Sequence, residues 1–386
     1  MLLHNARVLA PDGIYEWIWW DGSRIRDIGN GTFPTMKLNF DEMFDAGGRW
    51  VLPGFIDIHV HGSNGFDVMD ATPEAVYGMA DFFAAHGVTG WLPTTLTHKH
   101  DALMAALTNV RDCRDHQGEY NPHGARILGA RLEGPYLNVE KAGAQNPQYI
   151  RPPSYEEAAK FLDVGVIRIL DVAPEVEGAD WLIELCRQRG VVTSAAHTNA
   201  TAAQLLHAHE LGLQHSTHTF NAQPALNHRA PGTTGAVLAT DTMTAEVICD
   251  GVHVDALVVK IVARCKGDHA IIITDAVRPA GLAEGEYDFD ERTVLLKDGA
   301  IRLPSGTLAG SSLTFDRGVR NYCAFLGGGE AGLRAASHAA STAPAALIGL
   351  GDVKGTLEKG KYADFAVVDD DFQVSMTVVE GRVVGK

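Results

Sequence analysis

His59 and His61 are separated by one residue and close the apolar run Pro53-Gly54-Phe55-Ile56-Asp57-Ile58. On an extended strand, side chains two apart point the same way, so the two imidazoles project together from the strand's end. Taken alone, the pair reads either as packed core or as two nitrogens converging on a metal. Residues of similar chemistry recur at the ends of later apolar runs. Glu133 stands in Leu132-Glu133-Gly134-Pro135, His197 in Ala195-Ala196-His197-Thr198-Asn199, and His218 in Ser216-Thr217-His218-Thr219-Phe220-Asn221. Asp250 and His253 share Cys249-Asp250-Gly251-Val252-His253, and Asp275 ends Ile273-Thr274-Asp275. Imidazole and carboxylate donors suit a borderline divalent ion such as zinc. An ion so held lowers the pKa of water toward neutrality and polarises the bond under attack. A carboxylate on the last strand can take the water's proton and pass it to a leaving group. The chemistry these residues fit is metal-assisted hydrolysis.

Other histidines give a contrast. His207 and His209 have the same spacing but lie in Leu205-Leu206-His207-Ala208-His209-Glu210-Leu211, a helical pattern. Residues two apart on a helix do not face each other, so this pair is assigned to surface or packing. His98 and His100 are expected in a solvated loop, and His215 is left structural.

Short apolar strands and amphipathic helical stretches must position these residues, and they alternate from residue 54 onward. Strands are predicted over 54–61, 88–94, 127–133, 166–173, 191–197, 214–219, 244–250 and 270–275. Thr72-Pro73 opens a helix that runs through His86, and Ser154-Tyr155-Glu156-Glu157 has the form of a capping box. Such alternation requires parallel neighbours joined by crossovers. Eight strands close a (β/α)8 TIM barrel, whose functional residues sit at the C-terminal rim. An open doubly wound sheet would want a glycine-rich loop after its first strand, and His59-Val60-His61-Gly62 is not one.

The ends read differently. Residues 1–50 form an antiparallel β unit in which Trp17, Trp19 and Trp20 are strand core and Asp21-Gly22 is a hairpin turn. Asp298-Gly299 marks a second hairpin over 294–303, and helices follow over 314–326 and 333–348. A final β stretch turns at Glu380-Gly381. Both termini are therefore expected to build one small β-sandwich, residues 1–51 with 350–386, beside an α/β barrel of residues 52–349.

A net charge of −16 over 386 residues argues against a nucleic-acid partner. The five cysteines are scattered, which fits reduced thiols in a cytoplasm. The N-terminal residues lack a signal-peptide pattern, and no apolar run reaches the ~20 residues of a membrane span. A soluble cytoplasmic protein without membrane partners is expected.

The blocks from Pro53 to Gly62, Leu132 to Asn138, Ala196-His197-Thr198-Asn199-Ala200 and Thr217 to Ala222 resemble the N-acetylglucosamine-6-phosphate deacetylases of the amidohydrolase superfamily. So do Asp250 to His253, Thr274-Asp275-Ala276, Leu308-Ala309-Gly310-Ser311 and Ala363 to Val367. The resemblance implies that Glu133, His197 and His218 hold a primary metal, and that His59 and His61 hold a second with Glu133 bridging. The ion would be zinc, with iron, cobalt or manganese as alternatives. Asp275 would be the general acid/base at the metal, and His253 would polarise the acetyl carbonyl. Ala144, Gln145, Asn221, Ala222, Asp250, His253 and the loop Leu308, Ala309, Gly310 would contact an amino sugar phosphate. Arg229 would clamp its phosphate. A homodimer is implied, with the neighbour completing the phosphate pocket. The chain departs from the family pattern at Gln145, where a histidine is common, and at Gln223, where a methionine is usual. Neither departure is expected to touch a metal ligand. The competing substrates are another N-acetyl amino sugar phosphate, such as N-acetylgalactosamine 6-phosphate, and a cyclic amide.

Overall fold

The run ending in His59 and His61 is the first strand of a nearly closed parallel barrel in this computed structural model, which describes residues 1–32 and 42–384. The barrel strands are β1 (Phe55–Val60), β2 (Val88–Thr95), β3 (Ala130–Leu132), β4 (Ile167–Val172), β5 (Val192–Ala195), β6 (His215–Ser216), β7 (Thr244–Ile248) and β8 (Ala270–Ile273). Each pairs in parallel with the next. Between and after them run α1 (Pro73–Ala85), α2 (His100–Tyr120), α3 (Tyr155–Asp163), α4 (Ala179–Gln188), α5 (Ala202–Leu211), α6 (Gly232–Ala239), α7 (Ala256–Lys266) and α8 (Phe315–Phe325). The expected barrel with a terminal β domain is borne out.

The seam between β8 and β1 is closed just beyond the strands. Asp275 N–H donates to His59 O at 2.9 Å and His61 N–H donates to Ala276 O at 2.8 Å. Beneath them the Thr274 hydroxyl donates to Asp57 Oδ2 at 2.5 Å. The seam therefore holds two of the predicted ligands and the predicted acid/base in one hydrogen-bonded unit.

Strand alternation divides the interior into layers. Ile56, Ile58, Leu92, Ile169, Ile271 and Ile273 form an apolar cluster inside the barrel. Two residues further along β4 the same face carries Asp171, and the inner side of β3 carries Arg131. Both are fully buried. Arg131 holds Asp171 in a fork at 2.9 and 3.0 Å, donates to Thr217 Oγ1 at 2.9 Å and contacts Glu246 of β7. A charged plug thus sits between the apolar floor and the rim.

The termini form two sheets packed over Leu3, Val8, Ile18, Trp20, Phe365, Val367 and Val378. One holds Arg24–Gly29, Trp17–Asp21, Leu2–His4 and Met43–Asp45; the other joins Arg7–Ala10, Gly13–Tyr15 and Trp50–Pro53 to the three C-terminal strands. The N-terminal unit is mixed rather than antiparallel, because Leu2–His4 pairs with Met43–Asp45 and Arg7–Ala10 with Trp50–Pro53 in parallel. The first hairpin turns at Gly22-Ser23, since Asp21 still pairs with Arg24. Glu380-Gly381 does turn, with both residues at positive φ. The hairpin at Asp298-Gly299 is real but belongs to a four-stranded antiparallel insert, Gly285–Phe289 to Leu308–Ser311. The stretch 333–348 is two helices, Gly329–Ser337 and Ala343–Leu347, joined by a π turn over His338–Thr342. Ser154 caps α3 as expected, but Glu157 does not complete a box; its carboxylate is taken by Arg151 and Tyr136.

Replacing Arg131 with Met would leave Asp171 and Glu246 buried without their cation. Breaking such a pair costs about 3–5 kcal/mol. Chemical denaturation of Arg131→Met is expected to show a loss of that order.

Candidate metal centre and active site

Each predicted ligand stands at or just past a strand end, and at three of them the local backbone is bent. His197, His218 and Asp275 have φ of 43°, 28° and 49°, a left-handed region sparsely used by residues with a Cβ. Such conformations persist where surrounding structure over-determines them, as at functional sites.

The four imidazoles meet through one kind of atom. His59 Nε2 lies 3.3 Å from His61 Nε2, and His197 Nε2 lies 3.2 Å from His218 Nε2. For three of them the other ring nitrogen is engaged: His59 Nδ1 with Glu246 Oε2 at 3.0 Å, His61 Nδ1 with Thr94 O at 3.2 Å, and His197 Nδ1 with Lys141 O at 2.8 Å. Those partners are acceptors, so in the neutral rings Nδ1 carries the hydrogen and Nε2 presents its lone pair. This is how protein metal sites orient histidine ligands.

Glu133 joins the two pairs. Its Oε1 is 3.3 Å from both His197 Nε2 and His218 Nε2, and its Oε2 is 3.1 Å from His61 Nε2. Two ligand groups result, His59-His61-Glu133 and Glu133-His197-His218. Asp275 Oδ1 stands 3.5 Å from His59 Nε2 and 3.3 Å from His61 Nε2. Glu133 Oε1 is buried without a hydrogen-bond partner. An orphaned carboxylate oxygen among lone-pair nitrogens is what a divalent cation would satisfy, so the donor set fits a metal.

The electrostatics agree. Burial pulls His61 down, but hydrogen bonds to Asp275 and Glu133 outweigh it and push the ring up to about 9. Burial and Arg131 both depress His59, yet Glu246, Glu133 and Asp275 carry it well above the usual range. Glu133, raised by burial, is driven well below the carboxylate range by the histidines around it.

His61, Glu133, His197, His218 and Asp275 form the floor of a cavity of about 480 Å³ lined also by Ala144, Gln145, Asn221, Ala222, Leu308 and Gly310. His253 lines it too, with Nδ1 2.6 Å from Asp250 Oδ2. Of the remaining sequence candidates, Asp250 stands behind His253 and orients it. Ala309 is buried in the insert's core. Arg229 is exposed, outside the cavity lining, and donates to His228 Nε2 at 2.9 Å. His207 pairs with Asp180 at the surface, as assigned. His98 and His100 are not simply solvated: His98 packs on the Tyr149 ring, while His100 opens α2, bonds Glu157 and stacks on Phe161.

The expectation for Gln145 is corrected. It touches a predicted ligand, donating through Nε2 to Glu133 Oε2 at 2.6 Å. Gln223 bonds Ser216 and Thr234 instead. Sequence reading missed Glu246, which also accepts from the His218 backbone N–H at 2.9 Å and meets His215 Nε2 at 2.8 Å. The available signal was a glutamate in the middle of an apolar strand. It also missed Lys141 and Arg302, which put two cations on the cavity wall.

The amidohydrolase family profile matches residues 50–384. This chain belongs to the amidohydrolase family. The N-acetylglucosamine-6-phosphate deacetylase of Bacillus subtilis (strain 168) is 35% identical over 336 residues, 86% of this chain and 84% of that one. The N-acetylgalactosamine-6-phosphate deacetylase of Escherichia coli O157:H7 is 32% identical, covering 99% of this chain and 98% of its own. Among solved structures, the N-acetyl-D-glucosamine-6-phosphate deacetylase of Mycobacterium smegmatis in complex with N-acetyl-D-glucosamine-6-phosphate matches with a TM-score of 0.92. That match has 29% identity over 100% of this chain and 99% of that one. The resemblance read from the motifs is thus borne out.

In the metal-free amidohydrolase His61 holds a proton below about pH 9, so an incoming cation must displace it. Apparent metal affinity is expected to rise with pH, about tenfold per unit for each proton displaced, with the His61 contribution levelling off near pH 9. Chelator-competition titrations across pH 6–10 (about four decades of proton activity) check this; a flat profile contradicts it.

Proposed function

We propose that this amidohydrolase hydrolyses the N-acetyl group of N-acetylglucosamine 6-phosphate, giving glucosamine 6-phosphate and acetate. The observation that carries the reading is the pair of histidine groups joined by Glu133 beneath a cavity walled by His253. The similarity to named deacetylases supports the substrate.

His59 and His61 with Glu133 would hold one ion, and His197 and His218 with Glu133 another, zinc being favoured by the nitrogen and oxygen donors. Bound there, divalent ions supply Lewis acidity and a water made acidic enough to attack at neutral pH. The chain's own groups do the rest. Asp275 takes the proton of the attacking water and returns it to the amine leaving group. His253, held through Nδ1 by Asp250, polarises the acetyl carbonyl and steadies its oxygen as charge develops on it. Asn221, Ala222, Ala144, Leu308 and Gly310 shape the walls around the sugar.

Arg229 serves as phosphate clamp across a homodimer interface in this reading. Its support is Arg229's position outside the cavity of its own chain, and the exposed Leu226, Val252, Leu257 and Ile261 on the neighbouring loops and α7. A cytoplasmic location accords with the five free cysteines.

Acetate release should be fastest with N-acetylglucosamine 6-phosphate among a panel containing the galactosamine isomer and the unphosphorylated sugar. Preference for the isomer would reassign the substrate. Arg229→Ala should lower kcat/KM for the phosphorylated sugar about 10–100-fold, the worth of a charged hydrogen bond, and leave the unphosphorylated sugar unaffected. Asp275→Asn is expected to lower kcat by about 10²–10⁴ with bound metal retained. The double variant His59→Ala, His61→Ala should carry one ion fewer per chain by elemental analysis; an unchanged count removes the second site.

A further inference from the structure

Gln145 is a buried amide whose two ends are spoken for. The Thr97 backbone N–H donates to Gln145 Oε1 at 2.7 Å, and Gln145 Nε2 donates to Glu133 Oε2 at 2.6 Å. A backbone N–H can only donate, so the atom facing Thr97 must be the amide oxygen. That settles the orientation of the amide and leaves its NH2 group facing Glu133. Thr97 follows β2 and Gln145 lies in the loop after β3, so the contact ties two neighbouring βα loops to one carboxylate.

Glu133 needs such a restraint more than any other ligand. Each imidazole turns only about its own ring and three are fixed through Nδ1. The Glu133 carboxylate must instead present one oxygen to His197 and His218 and the other to His61 at the same time. Oε1 also lies 3.5 Å from His59 Nε2, so a rotation of the carboxylate disturbs its approach to all four rings at once. No hydrogen bond restrains Oε1, so the orientation depends on what holds Oε2.

We propose that Gln145 is a positioning residue for the metal centre: its amide, locked by Thr97, holds the Glu133 carboxylate in the one orientation that serves both histidine pairs. This rests on the metal-dependent reading above and differs from the sugar contact that the family resemblance implies for this position.

Gln145→Glu keeps the size of the side chain and the acceptor for Thr97 N–H while replacing the donor with an oxygen that Glu133 repels. Gln145→Leu removes both contacts. Metal content at equilibrium with a graded zinc-chelator buffer, measured with no sugar present, should show both variants binding about 10–100-fold more weakly than wild type, the usual cost of losing a partner that orients a ligand. With zinc restored to saturation, KM for the phosphorylated sugar should be unchanged. Wild-type zinc affinity in a folded Gln145→Glu or Gln145→Leu protein overturns the proposal, whether or not KM moves; unchanged affinity with a raised KM assigns Gln145 to the sugar. The zinc titration contains no substrate, so failure of the deacetylase reading would show only in the acetate assay.

Discussion

Four imidazole nitrogens with lone pairs and two carboxylates occupy one small volume at the barrel rim, all of them buried or nearly so. Lone pairs at 3.2–3.3 Å repel unless something positive lies between them. In the absence of metal that positive charge can come only from protons, and the carboxylates Glu246, Glu133 and Asp275 hold them on His59 and His61 above the ordinary range. The arrangement is therefore poor as hydrophobic packing and good as a cation site. The bent backbone at His197, His218 and Asp275, and the seam between β8 and β1, are best understood as consequences of aiming these groups at one point.

Beneath that point the barrel is arranged to keep the ligands from relaxing. Glu246 touches His59, His215, the His218 N–H and Arg131, and Arg131 spreads over Asp171, Glu246 and Thr217. Burying so many charges is unfavourable unless each is paired and hydrogen-bonded. Each of these is, and the result is a rigid polar layer between an apolar floor and the reactive rim. Glu246 belongs both to the charged plug and to the candidate site, where it fixes the His59 ring through Nδ1.

The sequence made the rim legible because its logic is local. A strand alternates, so His59 and His61 must share a face, and a barrel rim collects whatever ends its strands. The alternation of strands and helices conveyed the architecture for the same reason. What stayed hidden depends on contacts between distant segments. Glu246 stands out in sequence only as a glutamate within an apolar strand, and its partners are set once β7 is placed beside β6 and opposite β1. Gln145 is 12 residues from Glu133 along the chain, and nothing in its neighbourhood tells which way its amide turns. The first turn was misplaced by one residue because Asp-Gly is a strong local signal, whereas the pairing of Asp21 with Arg24 is decided by the whole sheet. Arg229 was legible as a phosphate-binding residue type, but its position outside its own cavity is a property of the folded surface.

Glu133 decides how these layers become one site. Its Oε2 faces His61 while Oε1 lies within 3.5 Å of His59, His197 and His218, so the ions they would hold are not independent: both pairs share one carboxylate. A chain that lacked His59 and His61 could still offer Glu133, His197 and His218 to a single ion. The presence of both pairs makes the orientation of this carboxylate a shared constraint. Asp275 sits on the His59-His61 side, within 3.5 Å of both rings, so the group best placed to move a proton is also nearest the pair a one-ion site would not need. Occupation of that side would offset the negative charge of Asp275 and Glu133 together and so tune the basicity on which proton transfer depends. In the proposed reading, His59 and His61 would matter less for holding a metal at all than for setting the electrostatics around Asp275.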